Sequence, residues 1–166
     1  GYREAGIGFF QRDRGGRRDP LRSEARLAEL SRAHSKELRF HRVDFADEAA
    51  LGEALGGESI ETIVHLGAQP GVRYSLQNPA AYVRSNLVGH GNILELARRR
   101  GVRHLVYASS SSVYGNARKL PFAVEDRVDH PASLYAATKR ADELMCEAYA
   151  NLYRIPTTGL RFFTVY

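Results

Sequence analysis

His104-Leu105-Val106-Tyr107-Ala108 is a short apolar run that leads without a break into four serines, Ser109 to Ser112. Gly101 stands just before it. Upstream of that glycine, the stretch from Asn78 to Ala97 carries Leu87, Ile93, Leu94 and Leu96 at helical spacing. An amphipathic helix, a glycine stop and a buried strand in that order are half of a βαβ unit.

The same alternation extends in both directions. Leu38 to Val43 alternates at period two into Asp44 and reads as a strand, followed by a helix around Glu48 to Leu55. Glu61 to Leu66 reads as a buried strand ending in Gly67-Ala68. After the serines, a loop from Gly115 to Pro131 precedes a helix capped by Ser133 and running to about Tyr153. Pro156 ends it, and a last strand covers Thr158 to Phe163. Short apolar runs alternating with helices predict an α/β fold, a doubly wound parallel sheet with helices on both faces. There is no internal repeat and no linker, so residues 1–166 read as a single domain.

Ligands of open α/β sheets bind outside the carboxyl ends of the strands. Asp44, Leu66-Gly67-Ala68, Ser109-Ser110 and Phe163-Thr164 all fall at such ends, so four strands deliver polar or small residues to one rim. Tyr135 and Lys139 are four apart on the last helix, which puts phenol and ammonium on one face. A nearby ammonium stabilises a phenolate and makes the tyrosine a better base. Ser110, at a strand end, could hydrogen-bond the same substrate oxygen.

Three segments carry a resemblance: Tyr107 to Gly115, Tyr135-Ala136-Ala137-Thr138-Lys139, and Leu160-Arg161-Phe162-Phe163-Thr164-Val165-Tyr166. With His65 to Ser75, Ser85 to Gly89 and Val128 to Pro131, the sequence resembles the extended short-chain dehydrogenase/reductases, of the NAD-dependent epimerase/dehydratase family. Within them it is most similar to the UDP-glucuronate 4-epimerases. The resemblance implies a Rossmann-like fold, NAD as cofactor and a UDP-sugar as substrate. It implies that Tyr135 takes the proton of the sugar 4-hydroxyl, that Lys139 holds the nicotinamide ribose and that Ser110 bonds the 4-oxygen. By the same carry-over Asp44 and Phe45 meet the adenine, and Leu66, Gly67, Ala68 and Gln69 line the dinucleotide. Asn86 supports it, with Ser109 and Phe163 also on the cofactor side. Val72, Arg73 and Thr164 fall on the substrate side. Related dehydratases carry an acid before the Val-Tyr-Gly, where Ser111 and Ser112 stand here; a hydroxyl is a poor general acid for expelling hydroxide, so epimerisation is expected. A UDP-hexose or UDP-N-acetylhexosamine epimerase is the alternative, and a redox-sensing NAD(P) module without turnover is another.

The family's glycine-rich fingerprint and first strand are not found, and the chain is expected to be open at both ends. Gly6-Ile7-Gly8 matches instead the end of the second strand, with Gly8 where an acid usually meets the ribose. A sheet lacking its first strand has a slot between two buried strands, so the 166 residues alone are expected to be unstable and to bind NAD weakly.

Net charge is +5, with Arg12, Arg14, Arg17, Arg18 and Arg22 in a loop and Arg98-Arg99-Arg100 at a helix end. Neither set is interleaved with aromatics as in a single-strand binder, so no nucleic-acid partner is expected. No run reaches the ~20 apolar residues of a membrane span, and one cysteine, Cys146, excludes an internal disulfide. A reducing, cytoplasmic setting and a homodimer through the long helices are the expectations. His65 and Cys146 read as core, and His130 and Tyr114 as loop structure and packing.

Overall fold

The computed structural model describes residues 38–164, the strand 6–8, Ala25, Glu29 and Arg32. Its order is β1 (Gly6–Gly8), β2 (Leu38–Phe40), α1 (Glu48–Leu55), β3 (Thr62–His65), α2 (Val72–Gln77) and α3 (Pro79–Tyr82). A wide π-turn (Val83–Gly89) joins α3 to α4 (His90–Arg100). Then come β4 (His104–Ser110), a 3-10 turn (Ser111–Tyr114), α5 (Leu134–Tyr153) and β5 (Thr157–Phe162). The Arg-rich residues 12–22 lie outside the described residues.

All strand pairs are parallel. β4 lies between β3 and β5, with Val64 opposite Val106 and Tyr107 opposite Gly159. β1 pairs with β2, Gly8 opposite Phe40, in a separate two-stranded sheet. Among the described residues no strand bridges the two sheets.

The core lies on one face of the three-stranded sheet. Ile63, Leu105 and Tyr107 pack there against Ile93, Leu94 and Ala97 of α4, Cys146 of α5 and Leu51 and Leu55 of α1. The other face is bare among the described residues: Val64 and Leu66 are each 59% exposed, and Leu160 and Phe162 are exposed beside them. The expected two-sided cover is thus seen on one side.

The helix ends follow their chemistry. Asp47 caps α1, accepting from the Ala50 N–H, and Ser133 caps α5, accepting from the Ala136 N–H. Gly101 stops α4 in the left-handed region at φ 61°. α5 ends at Tyr153 because Arg154 turns left-handed at φ 58°, two residues before Pro156.

Several boundaries differ from the sequence reading: β2, expected from Leu38 to Val43, ends at Phe40. β4 continues through Ser109 and Ser110, because β5 offers Arg161 and Phe162 as partners. α2 was not anticipated. The continuous helix expected from Asn78 to Ala97 is interrupted at Val83–Gly89 by the π-turn, whose extra residue brings Ser85, Asn86 and Gly89 to the buried side. Gly89 is needed there: a Cβ would land on the Phe45 ring.

Candidate active site

A cavity of about 460 Å³ opens at the carboxyl ends of β3, β4 and β5, lined by Leu66, Ala68, Ser110, Tyr135, Lys139 and Phe163 among others. Ser109 and Thr164 also reach it. Ser110 is the last residue of β4. Its extended backbone and its Oγ, which accepts the Ser112 N–H at 3.2 Å, start the 3-10 turn. Tyr135 sits in the first turn of α5, immediately behind the Ser133 cap, so the cap fixes where the phenol enters the cavity. Lys139 follows one turn later and is buried. The three residues singled out in sequence therefore meet in one place.

The loop after β3 is held by residues the sequence reading treated as cofactor contacts or did not single out. Asn86 accepts the Gln69 N–H at 2.8 Å and donates to the Gln69 carbonyl at 3.2 Å and to Thr138 Oγ1 at 2.9 Å. It ties the loop to α5. Thr138 in turn donates to the Tyr135 carbonyl at 2.9 Å. Tyr82 was not anticipated. Its hydroxyl lies 2.7 Å from the Pro70 carbonyl and 2.6 Å from that of Gly71, and its ring meets Tyr135 edge-on at 6.1 Å. A buried tyrosine four residues before Asn86, on the same helical face, was the available signal.

Asp44 is at the rim but engaged within the protein. Its oxygens accept the Ala46 N–H at 2.9 Å and the Arg84 guanidinium at 2.7 Å. Burial alone would raise the Asp44 carboxyl; Arg84 and the Ala46 N–H outweigh it, and the group is held below its ordinary value. Phe45 has no exposed surface. Its ring packs edge-on to His65 at 5.2 Å and a Cβ on Gly67 would come within 2.9 Å of it. Its carbonyl accepts from Asn92 at 3.0 Å, so both the ring and this backbone oxygen are engaged within the protein. Val72 and Arg73 open α2, exposed and outside the cavity.

Behind the cavity floor lies a row of buried polar groups. Lys139 Nζ donates to Asp142 Oδ2 at 2.8 Å, with side chains 3% and 1% exposed. Burial lifts the Asp142 carboxyl to about 6 against the opposing pull of Lys139. The His65 and His90 rings lie tilted by 40° at 5.3 Å, and His90 Nε2 is 3.2 Å from Cys146 Sγ. Burial, with Lys139 nearby, pushes His65 down to about 3 and His90 well down also. Both are neutral core histidines. Burial pushes the Cys146 thiol up to about 12, so it is no nucleophile.

Glu143 is a second hub missed in sequence. It accepts from Ser109 Oγ at 2.6 Å, Arg140 at 2.9 Å and Arg161 at 2.9 and 3.0 Å. Burial raises the Glu143 carboxyl, and Arg161, Ser109 and Arg140 together bring it below its ordinary value. Tyr114 is packing: it stacks on Phe122 at 4.5 Å, and Arg161 lies over its ring at 4.9 Å. His130 is exposed loop, its carbonyl backed by Gly115. The basic run Arg98 to Arg100 pairs with Glu95, Glu48 and the Gly56 and Glu58 carbonyls. No helix among the described residues is long and apolar enough to cross a membrane.

The sequence and fold are similar to those of known proteins. Residues 4–166 fit the NAD dependent epimerase/dehydratase family. A probable UDP-glucuronate 4-epimerase of Rhizobium meliloti is 58% identical over 72% of this chain and 35% of its own length. UDP-glucuronate 4-epimerase 1 of Arabidopsis thaliana is 44% identical over 89% of this chain and 34% of its own. The crystal structure of Thermus thermophilus UDP-glucose 4-epimerase with NAD superposes with a TM-score of 0.71 at 28% identity, covering 81% of this chain and 50% of that one. The chain spans about a third of the length of these curated relatives. A site built from the chain's own residues and a family match over nearly its whole length agree: the chain belongs to the NAD-dependent epimerase/dehydratase family.

Proposed function

We propose that the protein carrying this chain inverts C4 of a UDP-sugar with NAD as cofactor, UDP-glucuronate to UDP-galacturonate being the preferred reaction. The convergence of Ser110, Tyr135 and Lys139 on one cavity at the strand ends carries the reading. The similarity to UDP-glucuronate 4-epimerases supports the choice of sugar.

The residues present fit the nicotinamide end of a dinucleotide. Lys139 spends one of its three N–H donors on Asp142, which leaves two for a ribose. Ala68 and Ser109 are small enough to leave the cavity floor open. When bound, NAD supplies a reversible hydride acceptor. Tyr135, as phenolate, takes the proton of the C4 hydroxyl, and Lys139 balances the phenolate charge. Ser110 Oγ donates to the C4 oxygen and holds it as that carbon becomes a ketone. The 4-keto sugar then turns within the cavity, and Tyr135 returns the proton to the C4 oxygen with C4 inverted. Ser111 and Ser112 do not line the cavity, and neither is an acid, which weighs against dehydration.

Leu76, Val83 and Val88 on the α2–α4 segment and Leu144 and Leu152 on α5 are exposed apolar residues. They support a homodimer through these helices, which light scattering on the full-length protein would measure. Buried free Cys146 suits a cytoplasmic setting.

The deciding experiment assays full-length protein with NAD against UDP-glucuronate, UDP-galactose and UDP-N-acetylglucosamine. Turnover of UDP-glucuronate with loss of at least ~100-fold in Tyr135→Phe is expected. Activity confined to the neutral sugars would move the substrate assignment, and unchanged activity in Tyr135→Phe would end the mechanism.

A further inference from the structure

An ammonium buried to 3% exposure must be answered by a charge or lose its own. Among the described residues that answer comes from one side chain. Asp142 lies three residues beyond Lys139 on α5, on the same face, and its Oδ2 accepts a hydrogen bond from Lys139 Nζ at 2.8 Å. The other carboxylate oxygen, Oδ1, has no hydrogen-bond partner. Asp142 is therefore held in the interior by Lys139 and by no other hydrogen bond of its side chain.

The neighbouring elements offer no rival partner. From β3 comes His65 and from α4 His90, both kept neutral by burial. From β4 comes Tyr107, whose hydroxyl burial pushes upward and keeps protonated. On α5, Cys146 is a neutral thiol, and the Glu143 carboxylate is committed to Ser109, Arg140 and Arg161. We propose that Asp142 is a positioning residue: it pins the Lys139 ammonium to the floor of the cavity, in the one place from which it can serve Tyr135 and a bound ribose. This rests on the role given to Lys139 above, and it names the group that makes the role achievable. A flexible four-carbon side chain reaches the cavity floor reproducibly only if its head is fixed. Asp142 fixes it from inside the helix and leaves the outward donors unspent.

The test compares Asp142→Ala and Asp142→Asn in the full-length protein. Misplacing a reacting group by about an ångström costs on the order of 100-fold, so Asp142→Ala is expected to lower kcat by about that factor with a much smaller change in KM. Asn keeps an acceptor oxygen in the same place without the charge and is expected to restore only part of the rate. A second readout needs no turnover. The Lys139 side-chain ¹³C–¹H signal, identified by its absence in Lys139→Met, is followed against pH. It is expected to inflect near 6 in the parent, where Asp142 titrates, and to lose that inflection in both variants.

Parental kcat in Asp142→Ala, or an inflection that survives in Asp142→Asn, would overturn the proposal. Should Asp142→Ala not fold, the Lys139 signal in Asp142→Asn decides. Should no UDP-sugar be turned over, the functional reading falls and the Lys139 signal still decides the role of Asp142.

Discussion

Replacing His65 by leucine should flatten the acid side of the stability curve. His65 is buried on β3 between Phe45 and His90, and its folded value is pushed down to about 3 from 6.5. The unfolded chain therefore takes up a proton on this ring below pH 6.5 while the folded chain does not. The stability that His65 contributes is whole above 6.5 and drains away as pH falls toward 3. At pH 5 the loss is 1.5 pH units at 1.36 kcal/mol each, about 2 kcal/mol. His90 acts in the same direction.

Asp142 works the other way. Its folded value is raised to about 6 from 3.8, so its ionisation costs stability above 6, and that cost is relieved as pH falls. Between pH 7 and 5 the relief is about 1 kcal/mol. The parent should therefore lose more than about 1 kcal/mol between pH 7 and 5, since His90 adds to His65, and the contributions separate only by mutation. Urea unfolding of the full-length protein at pH 7, 6 and 5 measures this. His65→Leu should recover about 2 kcal/mol of the pH-dependent loss, whatever its effect at pH 7. Asp142→Asn should deepen that loss by about 1 kcal/mol. A His65→Leu slope equal to the parent's would refute the claim that this ring is buried neutral.

Two further substitutions probe the packing around the site. Gly89→Ala puts a methyl group on the buried Phe45 ring inside the π-turn, and a drop of about 1–3 kcal/mol is expected from overpacking; an unchanged melting temperature would mean that the ring can move aside. Glu143→Gln leaves Arg161 and Arg140 facing a neutral amide, and about 3 kcal/mol should be lost for a largely buried pair; a melting curve with no salt dependence beyond the parent's and no destabilisation would remove Glu143 as a hub.

Much of the architecture could be read from local chemistry. Gly101, Ser133, Asp47 and the apolar runs mark ends and strands because each satisfies backbone groups or a buried face on the spot. The meeting of Ser110, Tyr135 and Lys139 at one cavity was legible because strand-end and helix-spacing rules place them without knowledge of the tertiary contacts. The interior polar groups were not. Lys139-Arg140-Ala141-Asp142-Glu143 looks like ordinary surface charge on a helix. A helical wheel offered one clue: Lys139 and Asp142 fall on the side of Ala136 and Cys146, which the core claims. Asp44 and Phe45 show the opposite limit. A resemblance assigned them to a ligand, while the Arg84 pairing and the packing of Phe45 against Gly67 and Gly89 arise from residues up to 44 positions away that no local rule connects.

The register of β5 on β4 decides which serine is tied down within the protein. Successive β4 side chains alternate between faces, so Leu105, Tyr107 and Ser109 point to the helices while Ala108 and Ser110 point the other way. A slip of β5 by one residue would move Arg161 from beside Ser109 to the other face of the sheet. Tyr107 guards against it: it lies opposite Gly159, where a Cβ would come within 2.6 Å of the ring carbon bearing the hydroxyl. Only a residue without a side chain fits there, and of the β5 residues only Gly159 qualifies. With Gly159 under Tyr107, Arg161 falls opposite Ser109 and reaches Glu143, which holds Ser109 from the helix side. Ser109 is thereby spent on structure and Ser110 is left for the cavity. The four serines look equivalent in sequence, and a ring-on-glycine contact two residues upstream of Ser109 divides their roles.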